Sequence, residues 1–250
     1  MPELPEVETI VRDLNRKVVG LKIVDAWTDP VKPVKTGHGA SWSQIAAGIK
    51  GRKVLRAHRR AKYIMMNLSG SKTLIIHQKL SGHLLYGKWR VAGKKVEPAM
   101  EGPIKADPYN RFIRFILYLS NGYMLGLSDV RRFGKVFLGD TDKIENINEI
   151  GRLGPEPLDK SFTVEKFKSL MRRKSGVIKK VLMDPFVIAG IGNIYSDEIL
   201  WYAGVAPLRR AEKLTDKELA AIYKYIKFVL KKAIGANGDS QQDYRTLEGE

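Results

Sequence analysis

The chain reads as an α+β protein, with one N-terminal helix, then a β-rich half, then an α-rich half. Three observations carry that reading. Leu4, Val7, Val11, Leu14 and Val18 recur at three- and four-residue spacing, an apolar helical stripe. Short β-branched or aromatic runs with turn signals between them fill residues 21–139. Helical periodicity takes over after a Gly- and Pro-containing stretch at 151–160.

The stripe predicts a first helix that stops at Gly20 and docks on a core. Strands are expected at 21–27, 53–58, 63–68, 73–77, 111–119 and 123–127. Ser69-Gly70-Ser71 and Asn121-Gly122 mark turns, and Asn-Gly between two apolar runs is a strong hairpin signal. Many short antiparallel strands imply a sandwich or barrel-like sheet domain. Residues 87–108, rich in Lys, Gly and Pro, read as a long loop, and 151–160 as an interdomain linker. Helices are expected at 163–173, at 178–183, at 193–202 with Gly204 as its stop, and at 215–234, where Thr215-Asp216-Lys217-Glu218 fits a capping box. The cleft between the two halves is a natural ligand site.

Composition narrows the function classes. The 250 residues hold 44 Lys and Arg against 27 Asp and Glu, a net charge of +17. Such an excess favours a polyanion, nucleic acid before an anionic membrane. No apolar run reaches the roughly 18 residues of a membrane span. The N-terminus lacks the basic start and apolar core of a signal peptide, so a cytoplasmic protein is expected. Absence of cysteine excludes disulfides, thiol catalysis and Cys-ligated zinc within these residues. His38, His58, His77 and His83 lack the spacing of metal ligands.

Four segments carry chemistry. Trimming of Met1 before a small residue would leave Pro2 as a free secondary amine, a nucleophile able to form an iminium. Glu3 and Glu6 stand beside it as proton-transfer groups, although Pro and Glu also simply suit a first helical turn. Lys62, in Arg59-Arg60-Ala61-Lys62-Tyr63, opens a strand and is placed to aim an ammonium at a phosphate or a reacting centre. Asp129-Val130-Arg131-Arg132-Phe133-Gly134 puts two arginines before an aromatic, a pattern suited to phosphates and to wedging between bases. Ala189-Gly190-Ile191-Gly192-Asn193-Ile194-Tyr195 leads glycines into a helix N-terminus, which suits a phosphate. Taken singly, each segment has a plain structural reading: a helix start, a solvated charge cluster, a hairpin end and a turn.

Taken in order, these segments resemble the Fpg/Nei family of DNA glycosylases. The resemblance rests on Pro2-Glu3-Leu4-Pro5-Glu6-Val7-Glu8-Thr9, Arg59-Arg60-Ala61-Lys62-Tyr63, Arg131-Arg132-Phe133-Gly134, Leu153-Gly154-Pro155-Glu156-Pro157-Leu158 and the stretch from Gly190 to Glu198. It covers nearly the whole chain, and its first and last motifs are closer to the formamidopyrimidine-DNA glycosylase branch. It implies a catalytic β-sandwich domain over 1–150 and a helix-two-turn-helix DNA-binding domain over 151–250. It implies a bifunctional glycosylase and AP lyase that excises oxidised bases, oxidised purines first, through an N-terminal proline Schiff base. Pro2 is similar to the family's nucleophile and Glu3 to the acid that opens the sugar and shuttles protons. Glu6 resembles a structural or proton-handling acid. Lys62 matches a lysine on the lesion-side phosphate and Asn193 a phosphate-binding asparagine, and Arg132 joins them in gripping the kinked backbone. Arg131 and Phe133 resemble two of three void-filling residues. Leu80, the third, stands where the family often has methionine, and it still serves as an apolar plug.

The implied partner is double-stranded DNA containing damaged bases or abasic sites, bound by a monomer with no membrane involved and, in a bacterium, at the nucleoid. No cofactor is expected within these residues. The family's four-cysteine zinc finger, with its DNA-gripping arginine, is absent from them, and 243–250 resembles the segment before that finger. Two other readings compete: a non-catalytic damaged-DNA-binding protein, and an RNA-associated protein. In the family the loop after the last long helix, here 235–242, helps recognise the flipped base.

Overall fold

The computed structural model describes residues 2–37, 39–238 and 244–250. Helix α1 (Leu4–Lys17) opens with a capping box in which Glu3 is the cap and Glu6 reaches back to the Glu3 amide. Its apolar face, Val7, Ile10, Val11 and Leu14, is fully or almost fully buried in the sheet core. Burial of each such side chain is worth about 1.5–3 kcal/mol. Leu4 instead joins the core of the helical half. One short helix thus belongs to both cores, which fixes the direction of Pro2 relative to each.

The β-rich half contains β1 (Ile23–Thr28), β2 (Lys35–Thr36), α2 (Trp42–Ile49), β3 (Val54–Arg60), β4 (Tyr63–Leu68), β5 (Lys72–His77) and β6 (Gly82–Gly87). It continues with β7 (Trp89–Ala92), β8 (Lys95–Pro98), α3 (Pro103–Ala106), β9 (Ile113–Leu119), β10 (Met124–Asp129), β11 (Lys135–Asp140) and α4 (Asn148–Gly151). Two sheets form a sandwich, with strand orders β1-β9-β10-β6 and β2-β11-β5-β4-β3. All pairings are antiparallel except β2 with β11. Period-two alternation sends Ile64, Met66 and Leu68 of β4 between the sheets, and Tyr63 and Met65 to the outer face. The Asn121-Gly122 turn closes β9 on β10, with Gly122 at a φ of 79° that glycine adopts without strain.

Residues 87–108 are not a loop. Trp89 pairs with Pro98 and Val91 with Val96 in a hairpin, and α3 follows. Trp89 is buried with Leu85, Ile113 and Ile116, so this hairpin covers the outer face of the four-stranded sheet. Its alternating apolar residues were masked by the surrounding lysines. Strands β6 and β11 and helix α2 also lie outside the expected elements. The Ser41-to-Gln44 capping box of α2 was nevertheless present in the sequence.

The α-rich half holds α5 (Val164–Arg172), α6 (Ile178–Met183), α7 (Asn193–Ala203) and α8 (Asp216–Gly235) around a core that includes Phe162, Phe167, Tyr195, Leu200 and Ile226. Gly204 ends α7 in the left-handed conformation, and Thr215 and Glu218 form the capping box of α8. Residues 244–250 return to the β-rich half, where Leu247 is fully buried between the sheets and its carbonyl accepts from Tyr86 N at 2.7 Å. Among the described residues, no helix is long and apolar enough to cross a membrane.

One buried side chain is out of register with this economy. Gln78 is 1% exposed, and both polar atoms of its amide lack a partner. A buried amide left unpaired costs about 1–3 kcal/mol. Gln78→Leu should therefore raise the melting temperature in a calorimetric scan. A lower melting temperature would show that the amide is paired in solution.

Candidate active site at the domain junction

The first turn of α1 meets the N-terminus of α7. Leu4 N donates to Gly190 O at 3.2 Å. Gly190 has a φ of 87°, and a Cβ there would lie 2.7 Å from the Leu4 side chain. Only glycine meets both demands. Glu3 Oε1 accepts from Ile194 N at 3.0 Å, at the open end of α7, where the helix dipole favours an anion. Glu3 is 2% exposed, and its Oε2 is buried with no hydrogen-bond partner. Burial pushes the Glu3 carboxyl above its ordinary pKa, while Lys62 and the Ile194 N–H pull the other way. A carboxyl in that state holds a proton closer to neutral pH than a solvated one.

Lys62 sits in the turn between β3 and β4 and reaches the same point. A Cβ on Gly192 would lie 2.4 Å from Glu3 Oε1 and 2.5 Å from Lys62 Nζ, so all three groups converge on one spot. Burial lowers the Lys62 pKa, and Glu3 and Glu6 partly restore it. Glu6 is fully buried and braces the junction: Oε2 accepts from Glu3 N at 2.8 Å, and Oε1 accepts from the Tyr195 hydroxyl. Gly238 packs against Glu6, so the polar stretch 235–242 starts beside the site, while its residues 239–242 lie outside the described residues.

Arg59 and Arg60 are not a solvated cluster. Arg59 Nη1 donates to Glu156 Oε2 at 2.7 Å, and its Nε to Glu8 Oε2 at 3.1 Å. Arg60 donates to Glu156 and to the carbonyls of Leu153 and Gly154. The Ala61 amide, in a turn with φ 53°, donates to Glu156 Oε1 at 2.6 Å. The 151–160 stretch therefore clamps the turn that carries Lys62. Glu156 is a site-positioning residue that sequence reasoning missed, although it lies inside a motif quoted for the resemblance.

The other candidates lie on the neighbouring rim. Asn193 is exposed at the first position of α7. Leu80, 39% exposed, tops the turn between β5 and β6. Arg131, Arg132 and Phe133 are exposed on the turn between β10 and β11, with Lys35 Nζ 5.0 Å from the centre of the Phe133 ring. Arg131 N donates to Ser81 Oγ at 3.0 Å, which brings Leu80, Arg131 and Phe133 to one edge. A cavity of about 380 Å³ lies between rim and junction, lined by Lys62, Tyr63, His77, Lys79, Phe186 and Ile191 among others. Cysteine is absent, and among the described residues no three His, Cys, Asp or Glu side chains converge. A four-cysteine zinc site does not fit these residues.

His77, packed edge-on against Tyr63 at 4.4 Å, is held well below its ordinary pKa by burial and then by Lys79, Lys62 and Lys135. His58 and His83 are lowered too, chiefly by burial. A histidine with a depressed folded pKa contributes stability that is full above its unfolded pKa of about 6.5 and lost as pH falls toward the folded value. The melting temperature should therefore drop on acidification below about pH 6.5. His77→Gln should flatten that slope, and an unchanged slope would contradict it.

Comparison with known proteins places this geometry. The model of the formamidopyrimidine-DNA glycosylase N-terminal domain matches residues 1–136, and that of the formamidopyrimidine-DNA glycosylase H2TH domain matches 153–245. The formamidopyrimidine-DNA glycosylase of Pelotomaculum thermopropionicum is 38% identical over 244 residues, which cover 98% of this chain and 82% of that protein. That of Herpetosiphon aurantiacus is 36% identical, covering 100% and 84%. Among solved structures, MutM (Fpg) from Thermus thermophilus matches with a TM-score of 0.80 at 30% identity, covering 100% of this chain and 83% of its own. A complex of Lactococcus lactis Fpg with DNA containing an abasic site matches at 0.82 and 26% identity, covering 99% and 84%.

Proposed function

The chain belongs to the formamidopyrimidine-DNA glycosylase family, as a DNA glycosylase of base excision repair, and from that premise we propose that it excises oxidised purines from duplex DNA and then cleaves the strand through the Pro2 amine. The observation that carries the reading is the convergence of Glu3, Lys62 and the Gly192 turn around the start of α1.

The damaged base leaves the stack at a cost of a few kcal/mol, lowest for a damaged pair. Leu80, Arg131 and Phe133 offset that cost by filling the gap. Lys62, Arg132 and Asn193 hold the backbone by phosphate contacts, which position the DNA without reading sequence. The unprotonated Pro2 nitrogen attacks C1′ of the sugar. The sugar ring oxygen needs a proton, and Glu3, whose carboxyl pKa burial raises, is the group placed to supply it. The C1′–base bond breaks and the base leaves with the proton that the Pro2 nitrogen gives up. The C1′–O4′ ring bond then breaks as O4′ takes the proton from Glu3, and an iminium joins Pro2 to C1′. The iminium acidifies the C2′–H, whose removal expels the 3′ phosphate, and a second elimination expels the 5′ phosphate. Water hydrolyses the iminium and frees Pro2. The protein acts as a monomer on damaged or abasic duplex DNA, and no bound group beyond these residues enters a step.

The test is incubation with duplexes carrying 8-oxoguanine, a formamidopyrimidine or thymine glycol. Metal-independent strand cleavage, strongest on the oxidised purines, is expected. Tight binding with no cleavage of any duplex would favour a non-catalytic damage binder.

A further inference from the structure

We propose that Asp129 is a positioning residue that locks the two DNA-inserting turns into one rigid wedge. This rests on the glycosylase reading, because it assigns a role within the same DNA-bound state. Asp129 ends β10, is 1% exposed, and touches neither the junction nor the cavity. Its Oδ1 accepts from Ser81 Oγ at 2.6 Å, and its Oδ2 accepts from Gly134 N at 2.8 Å. The Ser81 hydroxyl in turn accepts from Arg131 N at 3.0 Å. One carboxylate and one hydroxyl therefore bind the turn that carries Leu80 to the turn that carries Arg131 and Phe133. Behind them, Arg114 Nε donates to the Asp129 carbonyl at 2.8 Å, and Arg114 Nη1 to Asp29 Oδ2 at 3.0 Å.

Both turns need such a lock. Each contains a non-glycine residue in the left-handed region, Lys79 at φ 57° and Arg132 at φ 58°. That conformation persists where surrounding bonds over-determine it. The lock also depends on chemistry specific to Asp. Both carboxylate oxygens accept, whereas the Asn amide would turn an N–H₂ toward either the Ser81 hydroxyl or the Gly134 N–H. A Cβ on Gly134 would lie 3.1 Å from Asp129 Oδ2, so the turn has closed tightly onto this acceptor. A wedge with both turns fixed fills a vacated stack without first being ordered, and a loose one loses that advantage.

The test uses Asp129→Asn, Ser81→Ala and Ser81→Thr in the full chain. Wedge insertion is read as 2-aminopurine fluorescence opposite a tetrahydrofuran abasic analogue, which needs no chemistry. Excision is read on an 8-oxoguanine duplex, and borohydride trapping on a single-stranded abasic oligonucleotide, which has no stack to fill. Asp129→Asn and Ser81→Ala should lose most of the insertion signal and slow duplex excision roughly 10–100-fold. Single-strand trapping should stay within about threefold of the parent, which also shows that the variants fold, and Ser81→Thr should restore insertion. Equal losses on single strand and duplex, or full insertion by Asp129→Asn, would overturn the proposal. Insertion by a parent protein that traps no DNA would instead refute the glycosylase reading and leave the wedge measurement standing.

Discussion

Gly192→Ala is expected to slow base excision by about 100-fold or more while the protein stays folded. The backbone at Gly192 has φ −129°, a conformation any residue adopts, so the effect is purely steric. The added Cβ would stand 2.3 Å from Glu3 Cδ, 2.4 Å from its Oε1 and 2.5 Å from Lys62 Nζ. These are side-chain ends and are free to retreat, but retreat is the damage. Glu3 would give up the Ile194 N–H, and Lys62 would be pushed away from the point where the two side chains meet. A displacement of about 1 Å in such a constellation costs about 100-fold. Single-turnover excision, with thermal melting as the fold control, checks this. A rate within threefold of the parent would contradict the proposed convergence.

Glu3→Gln should abolish excision while sparing the amine. Loss of a positioned proton donor costs about 10²–10⁴-fold. The Gln amide oxygen still accepts from Ile194, so α7 stays in place, but the acid is gone. The variant should therefore fail on an oxidised-purine duplex and still form a reducible adduct on a preformed abasic site, where no base has to leave. Excision within tenfold of the parent would remove Glu3 from the proposed acid role.

The sequence disclosed most of the elements that position the site. The α1 stripe, β4 at 63–68, the Asn121-Gly122 hairpin and the Thr215–Glu218 box are all local signals, and each has its physical cause within a few residues. The hairpin at Trp89–Pro98 was hidden because its apolar positions are few and are flanked by lysine and glycine. Strand β11 was hidden because its partners, His77 and Lys35, lie far away in the chain. The site divides along the same line. Pro2, Glu3, Lys62 and Asn193 are visible in motifs. The reason Gly192 must lack a side chain appears only when α1, the β3–β4 turn and α7 meet. Glu156 looked like a linker residue, and three donors from the end of β3 and the turn after it show it to be a clamp.

The central claim is that Pro2, freed of Met1, is the covalent nucleophile. An amide-bound proline has no amine with which to attack, so the claim depends on the state of the N-terminus. Borohydride trapping on an abasic duplex, followed by digestion and mass mapping of the cross-linked peptide, tests it most directly. The account predicts one adduct, on Pro2 of chains that have lost Met1, and none on chains that retain it. An adduct of equal yield from the Met1-retaining protein, or one mapped to Lys62, would contradict it.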